Sequence, residues 1–134
     1  MLYTLRKSEV LRGRENFQLV FDRGIRIEGK WLRCAVLRDS TLKLGSSSKI
    51  AVAVVVPRSV GTAIVRNRVK RLIRESYRLN KSLLLPRSEH TSQPLAIAFL
   101  YSKRFETSQG LPGFHEIDAD VKSILRRVSL KFLE

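Results

Sequence analysis

Apolar residues along the chain follow two periods. "KIAVAVVV" (49–56) and "LAIAFLY" (95–101) are apolar at nearly every position, as strands covered on both faces are. "GKWLRCAVLR" (29–38) reads as a third strand, with Trp31, Arg33 and Ala35 on one face and Leu32, Cys34 and Val36 on the other. Elsewhere the period is helical. Phe17, Val20 and Phe21 share one face of a helix over 14–22, and Gly24 suits a left-handed residue just past its end. The longest helix is predicted from Gly61 to about Asn80. The last, over 117–133, places Ile117, Val121, Ile124, Leu125, Val128 and Phe132 at helical spacing. "DSTLKLGSSS" (39–48), "PRSEHTSQP" (86–94) and "SQGLPG" (108–113) read as connections. A further early strand is expected, at 42–45 or by a split of 25–38. The sum is an α+β fold, a small mixed sheet packed with helices in the order α-β-β-β-α-β-α. It forms one domain over 1–134, with a basic N-terminal arm over about residues 1–13.

Charge adds a partner to this picture. The formal net charge is +14 in 134 residues, which calls for a polyanion. Nucleic acid leads, ahead of an anionic membrane surface and an acidic protein. No apolar run approaches the ~20 residues of a membrane-spanning helix. The single cysteine, Cys34, has no disulfide partner in the chain and reads as a small core residue. A soluble, cytoplasmic protein is expected.

The charge is concentrated in "AIVRNRVKRLIRESYR" (63–78). At about 100° per residue, Arg66, Lys70, Arg74, Asn67, Arg78, Arg71 and Arg68 fan around one side of the helix, over about 200°. Leu72, Val65, Val69, Ile73 and Tyr77 fill the other side. A solvated helix face ordinarily mixes signs, because opposite charges four apart stabilise it. Here the neighbours along Arg66, Lys70, Arg74 and Arg78 are all positive, which costs stability and suits phosphate. Arginine outnumbers lysine, and its planar fork binds phosphate oxygens two at a time. Asn67, an amide amid cations, can both donate and accept, toward a base edge, a ribose hydroxyl or a metal-bound water.

"VGTAIVRNRVKRLIRESYR" closely resembles the signature of the protein subunit of bacterial ribonuclease P, through Gly61, Ala63, Arg66, Asn67, Arg68, Lys70, Arg71 and Arg74. Upstream, "LRGRENFQLVFDRGIRIEGKWL" is similar to the family's opening, with Phe17 and Phe21 four apart and Gly24 following. The resemblance implies a ribonucleoprotein endoribonuclease that removes the 5′ leader of precursor tRNA. In it the RNA subunit, with bound Mg²⁺, is the catalyst, and the protein carries no catalytic residue. The partners it implies are ribonuclease P RNA and precursor tRNA. The RNA subunit would meet Arg66, Asn67, Arg68, Lys70, Arg71 and Arg74. The single-stranded leader would lie in a cleft between the first helix and the sheet. There Phe17 and Phe21 would supply aromatic platforms, with Trp31, Arg33, Arg12 and Arg14 beside them. The fold is that of a domain of a small-subunit ribosomal protein, with a left-handed βαβ crossover where the general rule is right-handed. Two departures stand out. Ala35 takes a position often aromatic in the family, and Pro57, Arg58 and Ser59 replace a small hydroxyl residue and paired lysines.

A nuclease site borne by the chain itself is not expected. The one acidic cluster, Glu116, Asp118 and Asp120, falls where carboxylates favour a helix N-terminus. His90 and His115 fall in predicted loops without partners at metal-ligand spacing, so no metal site is expected in the protein. Ser46, Ser47 and Ser48 read as a linker. The alternative function is a structural ribosomal or RNA-chaperone protein with no role in cleavage. The pairing of an aromatic cleft with the Arg-Asn-Arg helix argues against it. A DNA-binding regulator is weaker still, because no helix sits just before 63 to form a helix-turn-helix.

Overall fold

A computed structural model of the chain describes residues 9–44, 49–84, 93–102, 104 and 110–133. Residues 1–8 of the predicted arm, the Ser46–Ser48 linker, His90 with most of the 86–94 connection, and the start of "SQGLPG" lie outside the described residues. The elements run α1 (Arg14–Arg23), β1 (Ile25–Glu28), β2 (Arg33–Arg38), β3 (Ile50–Val55), α2 (Ala63–Asn80), β4 (Leu95–Leu100) and α3 (Phe114–Phe132). This is the expected order, and the extra early strand arises by the split of 25–38.

The four strands form one sheet in the order β1-β2-β4-β3. β1 and β4 are antiparallel to β2, while β3 runs parallel to β4. Side-chain size, rather than polarity, alternates along the two most apolar strands. Val52, Ile97 and Phe99 join α2 and α3 in the larger core, with Cys34, Val36 and Leu95. Ala51, Ala53, Ala96 and Ala98 face the other way, beneath α1, with Ala35 and Val20. In register, Arg26, Ala35, Ala98 and Ala53 stand abreast across all four strands. With no bulk at the three alanines of this row, α1 can lie close on the sheet, and Ala35 is only 2% exposed.

The crossover from β3 through α2 to β4 is left-handed, and the backbone requires it. The amides of Leu95 and Tyr101 donate to the carbonyls of Lys49 and Val55, at 2.8 and 3.1 Å, so odd-numbered β4 residues turn their N–H groups toward β3. Their side chains point to the α2 face, where Phe99 meets Tyr77 edge-on. For an L-residue seen from that face with the strand running upward, the N–H lies to the right. β3 therefore stands right of β4, and the chain passes leftward over the front, against the usual rule.

Three sequence expectations change. Gly24 is extended (φ −68°), not left-handed. Its amide donates to the Val20 carbonyl as the chain turns directly into β1, and a Cβ there would sit 2.2 Å from that oxygen. α3 starts at Phe114, because the Glu116 carboxylate accepts from the Gly113 N–H at 3.0 Å and caps the first turn. His115 therefore lies on a helix, not in a loop. The stretch 29–32 is a turn rather than strand, closed by the Gly29 N–H donating to the Leu32 carbonyl at 2.7 Å.

Candidate nucleic-acid interface

The first surface is the outer face of α2. Thr62 caps the helix by accepting from the Val65 N–H, and Val69, Ile73 and Tyr77 bury its inner face. Asn67, Arg68, Arg71 and Arg74 are exposed, with Arg66 and Lys70 half-buried at the flank. All six predicted residues therefore share one helix surface. Asn67, Arg71, Arg74, Glu75 and Arg78 line a shallow groove along it. Glu75 is clasped by Arg78, whose hydrogen bond holds the carboxyl below its ordinary range. The pair cancels its own charge, so net positive charge gathers over 66–74. The Nε of Arg66 is buried and has no acceptor among the described residues.

The second surface lies on the opposite side of the sheet. Phe17 and Phe21 project from α1 as a stacked pair with ring centroids 6.3 Å apart, each half-buried against the alanine layer. Beside the alanine row, Arg33, Leu100 and Val55 form a second row, half-open to solvent. Arg33 keeps its predicted side of the sheet, but its Nε and Nη2 both donate to Glu28 Oε1, at 2.9 and 2.6 Å. Arg14 opens α1 one turn before Phe17, and Arg12 precedes it. Both are exposed.

Trp31 does not join this group. It is 8% exposed and belongs to the larger core, on the side away from α1. The cause is Asp120 of α3, whose carboxylate accepts from the backbone N–H groups of Lys30, Trp31 and Leu32 at 2.8–2.9 Å. That grip folds the segment into a turn, so Trp31 and Arg33 do not project to one side. Gly29 belongs to the same device, since a Cβ there would lie 2.4 Å from Asp120 Oδ2.

The rest of the acidic cluster is equally occupied. Glu116 caps α3. Asp118 accepts from Ser76 Oγ and Asn80 Nδ2 and pairs with Lys122, joining α2 to α3. Burial alone would raise the Asp118 carboxyl, but the bonds from Ser76, Lys122 and Asn80 outweigh it and hold it below the usual carboxylate range. Among the described residues no group of three His, Cys, Asp or Glu is placed to hold a metal ion. Cys34 is fully buried, and burial pushes its thiol well upward.

The basic helix lies on one side of the sheet and the paired phenylalanines on the other. The family model for ribonuclease P covers residues 5–129 of the chain. The chain belongs to the ribonuclease P protein family. The ribonuclease P protein component of Petrotoga mobilis is 32% identical over 128 residues, spanning 93% of this chain and 95% of that one. The solved ribonuclease P protein of Thermotoga maritima shares the fold at a TM-score of 0.67 and 23% identity, covering 89% of this chain and 96% of that one. The Staphylococcus aureus ribonuclease P protein does so at 0.68 and 16%, covering 96% and 100%. The chain is thus a protein component of ribonuclease P, with the RNA binding and leader processing general to that family, and its partner is ribonuclease P RNA. Among the described residues no helix is long and apolar enough to cross a membrane.

Two residues of this ribonuclease P protein escape a reading by period. Arg26 lies against Phe21, its guanidinium 5.8 Å from the ring centre and its Nη2 donating to the Phe21 carbonyl at 2.9 Å. Its signal was the alternation Arg26-Ile27-Glu28, legible once 25–28 is a strand. Asn16 is buried, donating from Nδ2 to the Arg12 and Lys43 carbonyls and accepting the Lys43 N–H. It ties the segment bearing Leu42 and Leu44 against α1. Nothing in its helical spacing marks that role.

Proposed function

We propose that the two surfaces divide two RNA tasks within the holoenzyme. The outer face of α2, through Arg66, Asn67, Arg68, Lys70, Arg71 and Arg74, docks on the RNA subunit. The cleft holds the single-stranded 5′ leader of precursor tRNA, with bases on Phe17 and Phe21 and phosphates toward Arg12 and Arg14. The observation that carries this reading is their separation: one sheet lies between the basic helix and the stacked rings, so both RNAs can be bound at once. The buried Nε of Arg66 is a donor that a phosphate oxygen would satisfy.

Chemistry belongs in this reading to the RNA subunit. Mg²⁺ takes hard oxygen ligands, commonly one or two carboxylates plus phosphates. On the outer face of α2 the one carboxylate is Glu75, already held by Arg78. The chain's own residues therefore do not fit a Mg²⁺ site, and the ion is assigned to RNA phosphates. Work in the cytoplasm accords with a single cysteine buried as a thiol.

Reconstitution tests the reading. Added to its RNA at low Mg²⁺, the protein is expected to stimulate 5′ processing of precursor tRNA; absence of stimulation overturns it. Arg66→Ala with Arg71→Ala is expected to weaken binding to the RNA subunit and flatten its salt dependence by about one unit of slope per lost phosphate contact. An unchanged slope removes those residues from the contact. Phe17→Ala is expected to weaken precursor tRNA binding more than mature tRNA binding.

A further inference from the structure

The outer side of β1 is a sheet edge. Along it runs an open groove of about 450 Å³, lined by Arg26, Ile27 and Glu28 of β1 and by Arg127, Leu130 and Lys131 of α3. Its composition is unusual for an edge. Leu130 is 61% exposed, and Ile25 at the head of β1 is 42% exposed. From Val121 to Leu133, α3 carries Lys122, Arg126, Arg127 and Lys131 and no acid. Of these, Lys122 pairs with Asp118, while the other three have no carboxylate partner among the described residues. The groove's own carboxylate, Glu28, is engaged by Arg33, with Arg104 3.6 Å away. Arg127 is aimed rather than loose, its Nη2 donating to the Glu28 carbonyl at 2.9 Å and its remaining N–H groups left for another acceptor.

Arg26 joins this groove to the cleft. It lines the groove, it lies over Phe21, and it ends the row of alanines that crosses the sheet. A cationic groove tracks the backbone of a single strand, and here it continues from the stacked rings, with the aliphatic side chain of Leu130 beside it.

We propose that the β1 edge groove is a second segment of the leader path, in which single-stranded RNA leaving Phe17 and Phe21 passes Arg26 and sets its phosphates against Arg127 and Lys131. This rests on the leader reading of the cleft and extends it to leader nucleotides beyond the phenylalanines. Longer leaders therefore gain affinity through α3, which neither the basic helix nor the cleft supplies.

The test uses holoenzyme reconstituted with its RNA subunit, and precursor tRNAs whose leaders are lengthened one nucleotide at a time. In wild type, affinity is expected to rise again once the leader passes Arg26. In the Arg127→Gln/Lys131→Gln variant that second rise is lost, while short-leader and mature tRNA binding stay unchanged. Its long-leader affinity is expected to fall about sevenfold less between about 50 and 200 mM salt, the single-strand value for two phosphate contacts. Because Arg127 also holds the Glu28 carbonyl, Lys131→Glu serves as the second variant, on an exposed site, and is expected to abolish most of the same rise. An equal loss at every leader length, mature tRNA included, overturns the proposal and assigns the groove to the RNA subunit or tRNA body. No loss at any length overturns it outright. If Phe17→Ala leaves even short leaders unaffected, the cleft reading fails instead.

Discussion

The two faces of the sheet are built to different ends from alternating residues of the same strands. On one face Val52, Ile97 and Phe99 interlock with α2 and α3 in a dry core. On the other, Ala51, Ala53, Ala96 and Ala98 form a low floor that α1 covers together with Leu11 and Leu42, while the rings of Phe17 and Phe21 stay half-exposed. Large side chains fill the space between sheet and helices, while small ones let a short helix come close and carry its rings at the surface. The comparison teaches that bulk is segregated here by strand parity, with the larger core on one face and, in the proposed reading, the leader's aromatic platforms on the other.

That segregation can be broken experimentally. Phe99→Ala, in the dry core, is expected to cost about 4 kcal/mol in denaturant melts, whereas Phe21→Ala costs about 1 kcal/mol and acts mainly on precursor tRNA binding. Equal stability losses would erase the distinction. Asp120→Ala strands three backbone donors in the turn beneath α3, for about 3 kcal/mol. It is expected to leave RNA-subunit affinity unchanged when measured on the folded fraction. Glu28→Gln frees Arg33 on the α1 side of the sheet and is expected to change melting by about 0.5 kcal/mol or less, the scale of an exposed pair. Tighter precursor binding at low salt would then identify Arg33 as a cation held in check. The smallest effect is in acid. Asp118 has a lowered folded-state value, so its contribution is complete above the unfolded-chain value of about 4 and is lost as pH falls through the folded one. Asp118→Asn is expected to flatten the fall in stability below about pH 4, read from melts across that range.

Much of this was legible by period. The angular spread of Arg66, Asn67, Arg68, Lys70, Arg71 and Arg74 predicted one cationic surface because a helix's faces are fixed by its own residues. Phe17 and Phe21, four apart, likewise had to share a side. Trp31 was misplaced because its direction is set by Asp120, 89 residues away in the chain, and alternation applies only while a segment stays a strand. The two apolar strands looked uniform because both faces are covered; what differs is bulk, which a division into apolar and polar does not register. Arg26 was hidden because the split of 25–38 was expected without a boundary, and a strand residue's face is fixed only once the strand's limits are known.

The leftward passage of α2 has one more implication. With the strand order unchanged, a rightward passage would deposit α2 on the alanine side, against α1. Its guanidinium groups and the two rings would then compete for one polyanion on a single surface. Swinging left sets the cationic helix and the stacked rings on opposite sides of the sheet, the arrangement that the proposed two-sided adaptor, clasping a scaffold and a substrate in the same instant, requires.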